Sequence, residues 1–164
     1  MVASSDGGTS WTTRQPSSKD YSLYGVSCPN PTYCVAVGGR HAFDAVVLQS
    51  TNGGVTWTSY VSGFDDVLSG ANSPAGTVKA MTLDCVTGSM CGGEVLRGVS
   101  CPTMRFCAAV GDQGTVLTTG DGGTTWTGQV ADGGSSTEQL TGVSCPGATD
   151  CVAVGQGGTV LRMS

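Results

Sequence analysis

The sequence predicts an all-β protein assembled from repeated four-stranded sheets. Three observations carry this: two phrases recur along the chain, apolar residues come in short alternating or continuous runs, and Gly, Pro and Asn/Asp turns separate those runs. Gly, Ser and Thr fill 66 of the 164 positions, whereas charged residues are 12%. A long-helix or coiled-coil chain would instead be rich in Ala, Glu, Lys and Leu. The 38% hydrophobic content and the orderly repeat speak against a disordered chain.

Each repeat reads as four strands in chain order. The first ends in Gly-Val-Ser-Cys, the second is Cys-Val-Ala-Val-Gly or a close variant, the third is of the Gly-Thr-Val-Leu type, and the fourth carries a tryptophan. The first two strands and their loop form one phrase, found at Gly25–Gly38, Gly98–Gly111 and Gly142–Gly155. The turn into the fourth strand is the other phrase: SSDGGTSW (Ser4–Trp11), STNGGVTW (Ser50–Trp57) and TGDGGTTW (Thr119–Trp126). In that turn Asp6, Asn52 or Asp121 can accept backbone N–H bonds while the two glycines take left-handed conformations at low cost. Trp11, Trp57 and Trp126 then supply large apolar faces for packing between neighbouring sheets.

The eight cysteines fall into four pairs, each with five residues between: Cys28/Cys34, Cys85/Cys91, Cys101/Cys107 and Cys145/Cys151. One spacing used four times predicts four local disulfides, each stapling a first strand to a second. Closing so small a loop contributes roughly 2 kcal/mol. A zinc site would prefer shorter spacings and histidine help, and His41 is the only histidine, so neither a metal nor a cofactor is expected. Such bridges persist in an oxidising place, which predicts a secreted, periplasmic or cell-surface protein. The opening MVASSDGG has neither the basic nor the apolar region of a signal peptide, so a processed chain or a piece of a larger protein is expected. No run approaches the roughly 18 apolar residues of a membrane span. The net charge of -5 argues against a nucleic-acid partner held through its phosphates.

The SxDGGxTW turn resembles the Asp box of BNR-repeat β-propellers, found in sialidases, sortilin-type receptors, some glucanases and photosystem assembly factors. With its GVSCPxxxxCVAVG half, the whole unit is similar to secreted bacterial BNR-like repeat proteins. The resemblance covers nearly the entire chain and implies a propeller of four-stranded antiparallel blades. Gly98 to Gly142 spans 44 residues and Trp11 to Trp57 spans 46, a normal blade length. The units are 15–60, a stunted 78–97, 98–130, and 140–164 completed by 1–14. In the last, the closing GTVLRMS lacks a fourth strand and the opening SSDGGTSW lacks a third, so the two ends are expected to join in one blade and seal the ring. In the stunted unit only GGEVLR lies between Cys91 and the next GVSC. About four units is the low end for a ring. A single propeller domain or a propeller fragment is therefore expected, with completion by further copies of the chain as the second reading.

Propeller topology puts the cysteine loops and the Asp boxes on one face, and the second-to-third-strand loops and inter-blade connections on the other. The first set is uniform from unit to unit, as structural devices are; the second varies, as a recognition surface does. The loop GGRHAFDA brings Arg40, His41, Phe43 and Asp44, and the longest connection, 61–77, brings Phe64, Asp65 and Asp66 on the same face of the same blade. These seven form the candidate ligand site. Asp6, Asn52 and Asp121 are expected to be turn caps, since Asn52 could not serve as a catalytic acid.

A sialidase-like centre needs three arginines, a Tyr–Glu pair and an acidic Asp. The arginines are Arg14, Arg40, Arg97, Arg105 and Arg162, with Arg105 in a cysteine loop; the glutamates, Glu94 and Glu138, adjoin no tyrosine. No catalytic residue is assigned. The function expected is a non-catalytic extracellular module binding a protein or glycan, or building a surface assembly; the alternative is a fragment or relative of an Asp-box glycoside hydrolase.

Overall fold

The computed structural model describes residues 1–13, 21–40, 44–61, 78–80, 83–85, 95–131 and 138–163. Within them the chain is all β, with short 3-10 turns between some strands. β1 (Val2–Ala3) and β2 (Thr12–Thr13) form a two-stranded sheet. β3 (Ser22–Ser27), β4 (Cys34–Arg40), β5 (Asp44–Ser50) and β6 (Thr58–Val61) pair antiparallel in chain order, and β7 (Val78–Ala80) joins β6 in parallel. β8 (Leu83–Cys85) lies parallel to β12 (Trp126–Val130), outside an antiparallel run of β9 (Leu96–Ser100), β10 (Cys107–Gly111), β11 (Thr115–Thr119) and β12. β13 (Leu140–Ser144), β14 (Cys151–Gly155) and β15 (Val160–Met163) complete the set as a three-stranded sheet. These sheets are blades of a β-propeller; we call them first (β3–β7), second (β8–β12) and third (β13–β15).

Successive blades pack face to face, and the same repeat positions do the packing each time. The forward face of the first blade offers Tyr33, Val35, Val37 and Val47, which bury against Leu96, Cys107, Ala109, Leu117 and Trp126 on the rear face of the second. Ala108, Val110 and Val116 on the second blade's forward face bury in turn against Leu140, Cys145, Cys151 and Ala153 of the third. At the centre the first strands nearly touch: a Cβ on Gly98 would stand 3.0 Å from the Gly142 Cα, so glycine is required there for close approach. One hydrogen bond repeats across each junction. The Cys101 N–H donates to Ser27 Oγ (2.9 Å) and the Cys145 N–H to Ser100 Oγ (3.0 Å). The Gly-Val-Ser-Cys phrase is thus a blade-to-blade fastener.

The two chain ends do not meet. The expected shared blade is replaced by two separate sheets, β1–β2 beside the first blade and β13–β15 on the second. The reason lies in the repeat itself. Met1–Ser4 already acts as a third strand ahead of the Asp6 turn, so the opening segment is a complete third-and-fourth-strand hairpin. Joined to β15, it would duplicate the third strand.

Candidate functional site

The two ends of the blades are built differently. At one end Cys28–Cys34, Cys101–Cys107 and Cys145–Cys151 are disulfide-bonded; Cys91, the partner expected for Cys85, lies outside the described residues. In the first and second blades the cysteine loop is tied to the Gly-Gly turn of the same blade: the Gly53 N–H donates to Thr32 O and the Gly122 N–H to Arg105 O, both at 2.8 Å. Gly53 and Gly122 have φ of +68° and +73°, and a Cβ on either would press on the carbonyl of Pro31 or Met104. Conformation and crowding both demand glycine.

The acidic residue organises the turn. Asp121 accepts the N–H groups of Thr124 and Thr125 (both 3.0 Å) and the hydroxyls of Thr125 (2.7 Å) and Thr119 (2.9 Å). The Thr125 donors chiefly lower its pKa to about 2. Asp6 is held the same way by the hydroxyl and N–H of Ser10, with Ser4, and its carboxyl titrates well below the usual range. Asn52 accepts the Thr56 N–H (2.9 Å) and donates to the Thr56 hydroxyl (2.8 Å). Both shifted carboxyls move away from the value a general acid needs near neutral pH. Trp11 and Trp57 donate their indole N–H to the carbonyls of Gly8 and Gly54. In the second blade Gln49 reaches across from the first to donate to Gly122 O, and the buried Trp126 indole N–H has no partner among the described residues. Tyr33 and Tyr60 bracket Gln49, and burial pushes both phenols up.

At the opposite end each first strand carries a β-bulge at the same place. The pairing skips between Leu23 and Gly25, between Leu96 and Gly98, and between Leu140 and Gly142. The extra residues are Tyr24, Arg97 and Thr141, three different side chains just ahead of a constant Gly-Val-Ser-Cys. A bulge re-aims the side chain it carries, which is why bulges gather at sites of function. Arg97 grips Asp112 through Nε (2.6 Å) and Nη2 (3.0 Å), and this hydrogen bonding raises its pKa further. Gln139 donates to the same carboxylate (2.7 Å), and Gln156 donates to Gln139 (2.9 Å). The Tyr24 ring lies 5.2 Å from the Arg97 guanidinium carbon and remains half exposed. A polar line therefore crosses three blades, from Tyr24 through Arg97, Asp112 and Gln139 to Gln156. Asp112 takes two of the five guanidinium N–H groups, leaving others to reach a carbonyl or carboxylate.

Of the ligand site read from the sequence, the structure places two members at this same end. Arg40 closes β4 and Asp44 opens β5 as cross-strand partners, with Arg40 Nε 3.5 Å from Asp44 Oδ2. Gly39 beside them packs on Val95, two residues before Arg97. His41, Phe43, Phe64, Asp65 and Asp66 lie outside the described residues. Tyr24, Asp112, Gln139 and Gln156 were not among the residues read from the sequence, and Arg97 was weighed there only as a possible catalytic arginine. The available signal was that the residue before Gly-Val-Ser-Cys varies while the phrase does not.

No protein-family model and no curated protein matches the chain. Among solved structures it is similar to YCF48 bound to a D1 peptide, with a TM-score of 0.59 and 17% identity over 88% of this chain and 37% of that one. It is also similar to YCF48 from Cyanidioschyzon merolae, with a TM-score of 0.60 and 15% identity over 99% of this chain and 43% of that one. The chain thus spans about two-fifths of the length of these propellers, and the likeness shows the fold.

Proposed function

We propose that the chain is a non-catalytic propeller module that binds a protein segment at the bulge-bearing end of its blades. The observation that carries this is the line from Tyr24 to Gln156: an exposed aromatic ring on an arginine fixed by a carboxylate, with amides beyond it. An immobilised arginine and a rigid ring lose little entropy on binding, which is what makes such pairs effective contacts. A protein of the same fold, YCF48, is described bound to a D1 peptide, which supports a peptide over a glycan. Arg40 and Asp44 extend the recognition surface, and His41, Phe43, Phe64, Asp65 and Asp66 are assigned to it from the sequence. Three disulfides support an oxidising compartment, hence a secreted, periplasmic or cell-surface module. The repeated Gly-Gly turns support a place among Asp-box (BNR) propellers, with 1–164 forming one propeller domain or part of a larger one.

The test is fluorescence anisotropy with a panel of labelled peptides, beside a glycan array and a glycoside-hydrolysis screen. A peptide class should bind, and Tyr24→Ala should weaken it by about 10-fold with an unchanged melting temperature. Binding that survives both Tyr24→Ala and Arg97→Gln would overturn the assignment. Glycoside turnover abolished by changing one carboxylate would place the chain with the hydrolases instead.

A further inference from the structure

Among the described residues Gln113 is the only non-glycine with a left-handed backbone, at φ 52° and ψ 34°. It lies at the bulge end of the second blade, in the turn 112–114 between β10 and β11. The third blade makes the same turn with Gly157, at φ 66° and ψ 9°. This conformation is unfavourable for a residue with a Cβ and open to glycine at no such cost. The turn is pinned on both sides of Gln113: the Asp112 N–H donates to Val95 O (3.1 Å) and the Gly114 N–H to Glu138 O (2.7 Å). At 157 a Cβ would stand 3.0 Å from Glu138 Oε2, so the third blade needs its glycine. The second blade could use glycine as well, yet carries a carboxamide. That side chain is exposed and makes no hydrogen bond among the described residues. The second blade is packed by the first on one face and by the third on the other, so Gln113 belongs to a blade with both neighbours in place.

We infer that Gln113 is a specificity-determining contact, its carboxamide bonding the main chain of an extended peptide segment laid across the bulge end. This rests on the peptide-binding reading of the line from Tyr24 to Gln156. Strain that returns no contact within the fold persists where function repays it. Gln113 follows Asp112, the carboxylate that holds Arg97, which places it beside that line. A primary amide offers an oxygen that accepts and an NH2 that donates. Those are the complements of the N–H and C=O that one residue of an extended segment presents, whatever side chain it carries. Gln113 therefore sets the register in which the segment lies, while Tyr24 and Arg97 meet its side chains. The pinned backbone presents the amide in one place, so less freedom is lost on binding.

Two variants of the whole chain test this, with the tightest-binding peptide of the labelled panel as probe. Gln113→Ala keeps a Cβ in the left-handed turn and removes the carboxamide; it should weaken the peptide by about 5-fold with the melting temperature unchanged. Gln113→Gly removes the carboxamide and the strain together. It should weaken the peptide equally and melt about 2–4 °C higher. Copies of the peptide N-methylated at one backbone amide each locate the contact. At one position the N-methyl copy should bind wild type and Gln113→Ala alike, the two losses being one and the same bond. A peptide weakened by Tyr24→Ala but indifferent to both Gln113 variants would overturn the inference and leave the binding module standing. Gln113→Gly melting no higher than wild type would overturn it too, as would an N-methyl series in which every copy still feels Gln113→Ala. A panel in which nothing binds would end this inference and the peptide-binding reading together.

Discussion

The cysteine end and the bulge end of the blades share the same strands yet hold different things constant. At the cysteine end the chemistry repeats: a disulfide, a Gly-Gly turn bonded to the cysteine loop, and a side-chain oxygen capping the turn. At the bulge end only the backbone repeats. The bulge recurs in every first strand, and its side chain changes from Tyr24 to Arg97 to Thr141. The difference teaches where stability and specificity can be varied independently. Local bridges and turn bonds hold each hairpin at one end, so the other is free to change residues without unfolding the blade.

The strongest way to break this comparison is at the inter-blade tryptophan. Trp126 is 1% exposed and packs between the first two blades, so Trp126→Ala should cost about 3–5 kcal/mol. A chemical denaturation curve measures this. Trp126→Phe sharpens the point, because the indole N–H it removes has no partner among the described residues. Trp57→Phe instead forfeits the bond to Gly54 O and should cost more than Trp126→Phe, by about 1 kcal/mol. Equal losses for the two Phe variants would show that the tryptophans act by bulk alone.

The disulfides come next in size. Replacing Cys101 and Cys107 together by Ser should cost about 2 kcal/mol, the chain-entropy value for a small loop. The loss should be read in two ways, as a lower denaturation midpoint and as undiminished peptide binding at a temperature where the variant is folded. A binding loss in the folded variant would mean that the two ends are coupled through the strands.

Which parts of this were legible in the sequence follows from what each part needs. The turn end needs left-handed glycines, an acceptor two residues after Ser50 or Thr119, and paired cysteines, and each leaves a fixed letter at a fixed spacing. The close approach of Gly98 to Gly142 leaves one too. The bulge end leaves almost none. A bulge is an extra residue in a register, and its position appears only once β3 is set against β4. Asp112 and Gln139 lie 27 positions apart and meet only because consecutive blades bring their loops together. Arg40 and Asp44 were readable because one hairpin holds both. The misjudged clasp had a different cause: Met1–Ser4 lacks the Gly-Thr-Val-Leu wording of the other third strands, so its pairing with Thr12 and Thr13 was hidden.

The smallest predicted effect separates charge from shape within the turn, because the chain already contains both versions of it. Asp121 and Asn52 occupy equivalent positions and accept equivalent N–H bonds, from Thr125 and Thr56. Asp121→Asn should therefore keep the turn at neutral pH, at a cost below about 1 kcal/mol, whereas Asp121→Ala loses every acceptor and should cost about 1–2 kcal/mol. The pH dependence has a definite sign. The folded carboxyl titrates near 2 and an unperturbed one at 3.8, so the unfolded chain takes up the proton first as the solution is acidified. The advantage of Asp121 over Asn is then fully present above pH 3.8 and disappears as the pH falls towards 2. Asp6 titrates over a similar or lower window, so the measured quantity is the difference in melting temperature between wild type and Asp121→Asn, in which Asp6 cancels. That difference should shrink towards zero between pH 5 and pH 2, by about the whole of its neutral value. If it persisted unchanged at pH 2, the turn would be held by the oxygen's position, with the negative charge contributing nothing.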